Sequence, residues 1–241
     1  MSGIDNGEGE VDKLKCKLLE TEIELMRALH YIILLQFDKA CETQINSSEA
    51  ARNFRALTFH IVDESNLCLN NKRDTLGRVL EGMRVQNIDK NNLKSTHWMM
   101  DDELLAIKEY LKTKKITLLI YHENDIKSYI DPFESLECNI IMIHCYRNLH
   151  FSGVKPLKHK TDIYNACVQL QKNYNIIEMD FASFFNDLFE IIDTARDGNC
   201  GYHAILNSAI STISDGIQDE KKGILDSSIC EFLEDVKYIS L

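Results

Sequence analysis

A cysteine that follows a turn motif late in the chain has the surroundings of a thiol nucleophile. Asp197-Gly198-Asn199 carries side chains typical of tight turns, and Cys200 comes directly after it. Apolar residues then recur at helical spacing, which predicts a helix beginning at Cys200: Tyr202, Ile205, Leu206, Ala209, Ile210 and Ile213. The unpaired amides and the positive dipole at a helix start favour the thiolate, the nucleophilic form of cysteine. The same helix-start amides can also face an anion that develops on a substrate carbonyl.

The same pattern has a purely structural interpretation. Asp-Gly is a common turn dipeptide, and a cysteine that enters an amphipathic helix is often a small buried hydrophobic residue. Spacing alone favours this structural interpretation of Cys200.

Composition limits the class of protein and its partners. The 241 residues can form one large domain or two small ones, and 44% apolar residues with ten glycines and two prolines are typical of a globular chain. A net charge of -11 disfavours nucleic acid and anionic membranes as partners. The eight cysteines form no CxxC pair and no cluster at zinc spacing, so we expect free thiols, no metal and no cofactor. We expect a cytosolic protein without a signal peptide, which still allows export by a specialised secretion machine.

Helices are predicted for the first part of the chain. After a disordered start over residues 1 to 10, a long helix is predicted from Val11 to about Cys41. Its apolar stripe is expected to be core or a packing face: Leu14, Leu18, Leu25, Ala28, Ile32 and Leu35. Asn46 with Glu49 predicts a capping box for a second helix. Asp74 predicts the cap of a short third helix that ends near Gly82.

A small sheet is predicted next. A helix should open after Trp98, with acids on a solvated face of its first turn: Asp101, Asp102 and Glu103. Apolar runs at 116–121 and 139–146 predict buried strands arranged as a hairpin-like piece of sheet, with a possible edge strand at 126–130. His150-Phe151 and a glycine-containing loop follow, and then helices are predicted around 163–170, 181–189 and 227–238. The fold class is therefore mixed α/β, with a small central sheet between helices and an N-terminal helical extension.

Part of the chain resembles a known enzyme family. Asp197-Gly198-Asn199-Cys200, followed by Ala204 and Ile205, looks like the nucleophile motif of the ovarian-tumour (OTU) family of cysteine proteases, which remove ubiquitin from proteins. The helix start at Trp98, the two strands and His150-Phe151 resemble the later portion of that family, here placed before the cysteine. The resemblance covers residues 95–153 and 193–215. It implies a circularly permuted, papain-like fold whose old ends are joined through residues 154–196, with an extension at 11–47 and a catalytic domain at 48–241.

The resemblance also implies a set of site residues. Cys200 would be the nucleophile, His150 the general base, and the amides of Asp197, Gly198, Asn199 and Cys200 the oxyanion hole. Ser152 stands where the family usually has the Asp or Asn that orients the histidine. Asn148 or an acid such as Asp193 could take that role instead. His203 is the second choice as base, and His144 is expected to be a packed residue.

The function implied is that of a deubiquitinase acting through a thioester on Cys200. Its partner would be ubiquitin or polyubiquitin, and we expect a monomer. The permuted order suggests a bacterial effector that works in the cytosol of a host cell. Two alternatives remain open. One is a thiol protease or acyltransferase acting on another ubiquitin-like modifier. The other is a non-catalytic module, either a helical interaction module or a ubiquitin-binding pseudoenzyme, in which Cys200 is buried and inert.

Overall fold

A computed structural model describes residues 6–37, 47–85, 98–123, 129–133, 135, 139–158, 160–172, 181–195, 198–214 and 226–239. Within these ranges the chain forms eight helices and five strands. The helices are α1 (Asn6–Phe37), α2 (Ser47–Glu64), α3 (Leu69–Val85), α4 (Asp101–Thr113), α5 (Lys160–Lys172), α6 (Phe181–Leu188), α7 (Cys200–Ser214) and α8 (Asp226–Lys237). The strands are β1 (Ile116–Glu123), β2 (Tyr129–Ile130), β3 (Asn139–Tyr146), β4 (His150–Pro156) and β5 (Phe189–Ile192). The mixed α/β class predicted from the sequence is confirmed.

The five strands form one sheet in the order β2-β1-β3-β4-β5. β1 and β3 are parallel neighbours, with Leu118 opposite Ile141, whereas the other pairs are antiparallel. The prediction that these two apolar runs form a hairpin is therefore wrong. β2 is the antiparallel partner of β1, with Tyr121 opposite Ile130. β1 therefore pairs with β2 on one edge and with β3 on the other.

Side chains on the two faces of the sheet enter different cores. In β1, Leu118 and Ile120 join a core with α2, α4, α7 and α8. Leu119 and Tyr121 point to the opposite face and join a core with α5 and α6. Because both faces are covered by helices, β1 and β3 have continuous apolar runs. None of the helices in the described ranges is long and apolar enough to cross a bilayer.

α1, α2 and α3 form a further core beside the sheet domain. α1 begins at Asn6, earlier than predicted, because extending an existing helix outward is far easier than nucleating one. The face of α1 that packs on α2 and α3 is built on Ile23, Met26, Ile33 and Leu34. The stripe expected to be core is instead solvent-exposed at Leu14, Leu18, Leu25, Ala28 and Ile32, while the side chain of Leu35 lies outside the described part.

Two acidic residues expected at helix starts have different surroundings in the structure. Asp74 is inside α3, which begins at Leu69, and its carboxylate accepts a hydrogen bond of 2.7 Å from Arg73. Glu103 lies in the first turn of α4 but is buried, because a tyrosine and two arginines surround its carboxylate. Asn46, the predicted cap of α2, lies outside the described residues.

The segment around His150 is a strand and not a loop. Arg147 and Asn148 both adopt left-handed backbone angles, with φ of 51° and 55°, and the Leu149 amide donates to the Tyr146 carbonyl at 3.0 Å. This turn reverses the chain, so that His150 becomes the first residue of β4 and pairs with Tyr146. β5 then follows α6 directly and pairs with β4, so part of the segment at 154–196 belongs to the sheet. No turn residue separates α6 from β5 in the sequence, which is why the sequence does not predict β5.

Candidate active site

Cys200 is the first residue of α7, as predicted, and is buried with 6% of its surface exposed. Gly198 before it has φ of 79°, a conformation that glycine adopts without strain. The His203 amide donates to the Asn199 carbonyl at 2.9 Å and closes the first turn. Gly201 lets this turn pack tightly, since a Cβ there would lie 3.0 Å from the sulfur of Met99. Asp197 lies outside the described residues, so the described part of the predicted oxyanion loop is 198–200.

α7 packs against β4. The Val154 amide donates to the Ser208 hydroxyl at 2.8 Å, and a Cβ on Gly153 would lie 2.9 Å from Cβ of Asn207. Gly153 is thus needed for the close approach of the helix to the strand. Cys200 is the first residue of this helix, and His150 is the first residue of this strand.

A second thiol, on the strand beside β4, also interacts with Cys200. Cys145 in β3 is opposite Phe151 in the register, next to the start of β4. Burial raises the pKa of the Cys145 thiol to about 11, and the nearby Cys200 thiol adds to the increase. Cys145 is therefore protonated at neutral pH.

The imidazole of His150 is held at Nε2. Oδ1 of Asp193 lies 3.5 Å from this nitrogen and Oγ1 of Thr194 lies 3.3 Å from it. The Asp193 carboxylate is itself oriented, since it accepts the Thr194 amide at 3.0 Å. Both residues follow β5 directly. β5, which sequence reasoning did not predict, is therefore the element that positions them beside His150.

The Thr194 hydroxyl decides which tautomer of His150 is present. This hydroxyl has a single proton, which it donates to the Phe151 carbonyl at 2.5 Å. Toward His150 it can then only accept, so Nε2 must carry the ring proton. In the neutral ring Nδ1 is consequently the basic nitrogen, assigned here from the hydrogen-bond network.

The other predicted residues lie in different environments. Ser152 is buried in β4, opposite His144 in the register. Asn148 lies in the turn before β4, and His203 is buried one turn after Asn199 in α7. His144 is packed, as predicted: its ring stacks on Tyr121 and its Nε2 lies 2.8 Å from Glu123.

A buried polar network supports the loop before Cys200. Nη2 of Arg55 in α2 donates to the Gly198 carbonyl at 2.8 Å, and the guanidinium lies 4.9 Å from the centre of the Tyr202 ring. The Tyr202 hydroxyl donates to Glu103 at 2.8 Å, and Nε of Arg78 lies 3.7 Å from the same carboxylate. The loop is thus connected to α2, α3 and α4 by charged groups.

The charges of this network compensate one another. Burial raises the pKa of Glu103, while the charges of Arg55 and Arg78 and the hydrogen bond from Tyr202 act in the opposite direction. Burial and the neighbouring carboxylate raise the pKa of the Tyr202 hydroxyl, so it stays protonated and donates. Sequence reasoning missed this network, and Arg55, which lies between the apolar residues Phe54 and Ala56, was a signal that could have indicated it.

No group of three or more His, Cys, Asp or Glu side chains within the described ranges is arranged to bind a metal ion. Comparison of the chain with family models, with curated protein sequences and with solved structures gave no match.

Proposed function

We propose that this protein is a cysteine-dependent deubiquitinase with a circularly permuted OTU-like catalytic domain. The observation that supports this most directly is the orientation of His150. Oδ1 of Asp193 and Oγ1 of Thr194 lie at its Nε2, and Cys200 begins α7, the helix that packs against the strand of His150. A thiol at a helix start, a histidine whose Nε2 faces a hydroxyl that accepts, and a carboxylate behind the ring are the components of thiol acyl transfer.

In the proposed reaction each side chain has one role. Nδ1 of His150 takes the proton of Cys200, and Sγ attacks the carbonyl carbon of the C-terminal glycine of ubiquitin. The amides at residues 198–200 stabilise the oxyanion, which is worth roughly 3 kcal/mol per donor in comparable sites. His150 then gives its proton to the lysine amine as the carbon–nitrogen bond breaks. Water, deprotonated by His150, hydrolyses the thioester and restores the thiol.

Asp193 is our choice for the group that orients His150. Its carboxylate carries a full charge beside Nε2 and stabilises the imidazolium that forms during the reaction. Since 84% of its side chain is exposed, we expect this stabilisation to be weakened by solvent and salt. Ser152, which stands where the family usually has an Asp or Asn, offers only a neutral hydroxyl.

Ubiquitin as the substrate is supported by the resemblance of residues 197–200 to the family motif. The test is reaction with ubiquitin that carries a C-terminal electrophile, followed by intact mass measurement. We expect a single adduct on the wild type and on Cys145→Ala, and none on Cys200→Ala. A folded wild type that forms no adduct would overturn the proposal that ubiquitin is the substrate. An adduct with a probe made from another modifier would instead favour a thiol enzyme that acts on that ubiquitin-like modifier.

The third member of the triad can be tested with the same probe. Asp193→Asn should slow the adduct rate by roughly tenfold, and more at low salt than at high salt. Ser152→Ala should leave the rate within about twofold of the wild type. The reverse result would return the role to Ser152.

A further inference from the structure

A second apolar face of α1 is exposed along most of the helix. Leu14 is 66% exposed and Leu25 is 62% exposed, and Val11, Leu18, Leu29 and Ile32 are also at least 45% exposed. These residues do not belong to the face of α1 that packs on α2 and α3, which is built on residues 23, 26, 33 and 34. A helix with two apolar faces, of which the fold covers one, has a surface available to a partner.

The exposed face repeats every seven residues. Written as heptads, the a positions are Val11, Leu18, Leu25 and Ile32, and the d positions are Leu14, Thr21 and Ala28. Leu35 is the next d position in the sequence, and its side chain lies outside the described part. Thr21 is compatible with such a seam, because its hydroxyl donates to the Lys17 carbonyl at 2.8 Å and leaves the methyl group to pack. The pattern extends over residues 11 to 35, which is about the length at which heptads specify a coiled coil.

Charges beside the seam match a second copy of the same helix. In a parallel pair, the g position of one helix meets the next e position of the other. This brings Glu10 to the partner copy's residue 15, a lysine, and Lys17 to its residue 22, a glutamate. Each contact joins opposite charges and occurs twice by symmetry.

The antiparallel alternative has unfavourable charges. With the two helices fully overlapped, residues at e meet e and residues at g meet g. Glu22 would then face Glu22 of the other copy, and Glu24 would face Glu24. The sequence of α1 therefore distinguishes between the two orientations.

We propose that the protein forms a parallel homodimer through a two-stranded coiled coil of α1. The seam covers the exposed a and d positions, and the packed face of α1 stays on α2 and α3 of its own chain. The two catalytic domains are carried on either side of the coiled coil. This dimer replaces the monomer expected from the sequence and is independent of the proposed enzymatic activity.

The first test is the mass of the full chain in solution, measured by analytical ultracentrifugation over a range of micromolar concentrations. We expect a dimer for the wild type. Leu18→Glu with Leu25→Glu should weaken the dimer more than about a hundredfold, because four carboxylates would be placed in the seam. Leu157→Glu, at an exposed leucine after β4, is the matched control and should remain dimeric.

The second test determines orientation. Leu14→Cys places a thiol at a d position, where two parallel helices in register bring residue 14 next to its copy. We expect a disulfide between the two introduced thiols, identified by peptide mass analysis, while the natural Cys16 at an outer f position stays unlinked. A folded wild type that is monomeric at all concentrations would overturn the proposal. A monomer whose α1 leucines instead bind added ubiquitin would overturn it equally.

Discussion

The buried hydroxyl of Thr194 lies 3.3 Å from Nε2 of His150. Because the hydroxyl proton is used on the Phe151 carbonyl, this contact leaves Nδ1 as the basic nitrogen of the ring. The tautomer of the proposed general base is thus set by a neutral side chain that no motif identifies.

Thr194→Val should lower the rate of ubiquitin adduct formation by roughly tenfold, because Nε2 of the ring loses one of its two acceptors and keeps only the solvent-exposed Asp193 carboxylate. Thr194→Ser should restore most of the rate. Thr212→Val is the control, since that hydroxyl only donates to the Ser208 carbonyl within α7 at 2.8 Å. Equal rates for Thr194→Val and Thr212→Val would contradict the role of Thr194.

Gly82 and Gly77, both in α3, should respond oppositely to alanine. A Cβ on Gly82 would lie 1.5 Å from Nη1 of Arg55, so Gly82→Ala should cost more than about 2 kcal/mol of unfolding free energy. A Cβ on Gly77 meets only Cε of Met26, at 3.6 Å. Gly77→Ala should therefore be neutral or stabilise the fold by up to about 1 kcal/mol.

Urea unfolding of the two variants measures this difference. If Gly82→Ala were as stable as Gly77→Ala, the guanidinium of Arg55 could not occupy the space beside α3. Gly82→Ala should also slow ubiquitin adduct formation, because a displaced Arg55 can no longer donate to the Gly198 carbonyl. This slowing would be absent if Arg55 kept its position.

Arg55 and Glu103 should be energetically coupled. Arg55→Met leaves the buried carboxylate with less compensation and should cost about 3 to 5 kcal/mol. Glu103→Gln removes that carboxylate charge, so the double variant should lose less stability than the two single variants together. A double-mutant cycle by chemical unfolding measures the coupling, and strict additivity would show that the two charges do not interact.

His30 should make the fold sensitive to acid. Burial, with a smaller contribution from His60, lowers the pKa of His30 to about 4, below the ordinary value near 6.5. A group whose pKa is lower in the folded state contributes stability above its unfolded pKa and loses it as the pH falls. Between pH 7 and pH 5 the wild type should therefore lose roughly 2 kcal/mol more than His30→Phe, which keeps an aromatic ring on Phe59. If the unfolding free energies of the two proteins fell equally between pH 7 and pH 5, the pKa of His30 would be the same in the folded and unfolded states.

Local patterns were enough to predict many elements of this protein. The apolar runs of β1 and β3, the helical spacing after Cys200 and the start of α4 depend on neighbours within a few residues, and all three are found in the structure. The packed position of His144 was also expected from its place within an apolar strand. These predictions succeeded because hydrophobic period and turn chemistry act over short distances along the chain.

Other features of the fold were decided by contacts between segments that are distant in the sequence. The parallel pairing of β1 with β3, the burial of Glu103 and the exposure of the α1 stripe depend on which surfaces meet, and not on the pattern of any one segment. Arg55 reaches Gly198 across 143 residues, and Thr194 reaches His150 across 44. The sequence by itself determined the candidate nucleophile, its helix and the candidate base. Only the tertiary structure placed a carboxylate and a hydroxyl behind that base, because β5 must pair with β4 before residues 193 and 194 can reach it.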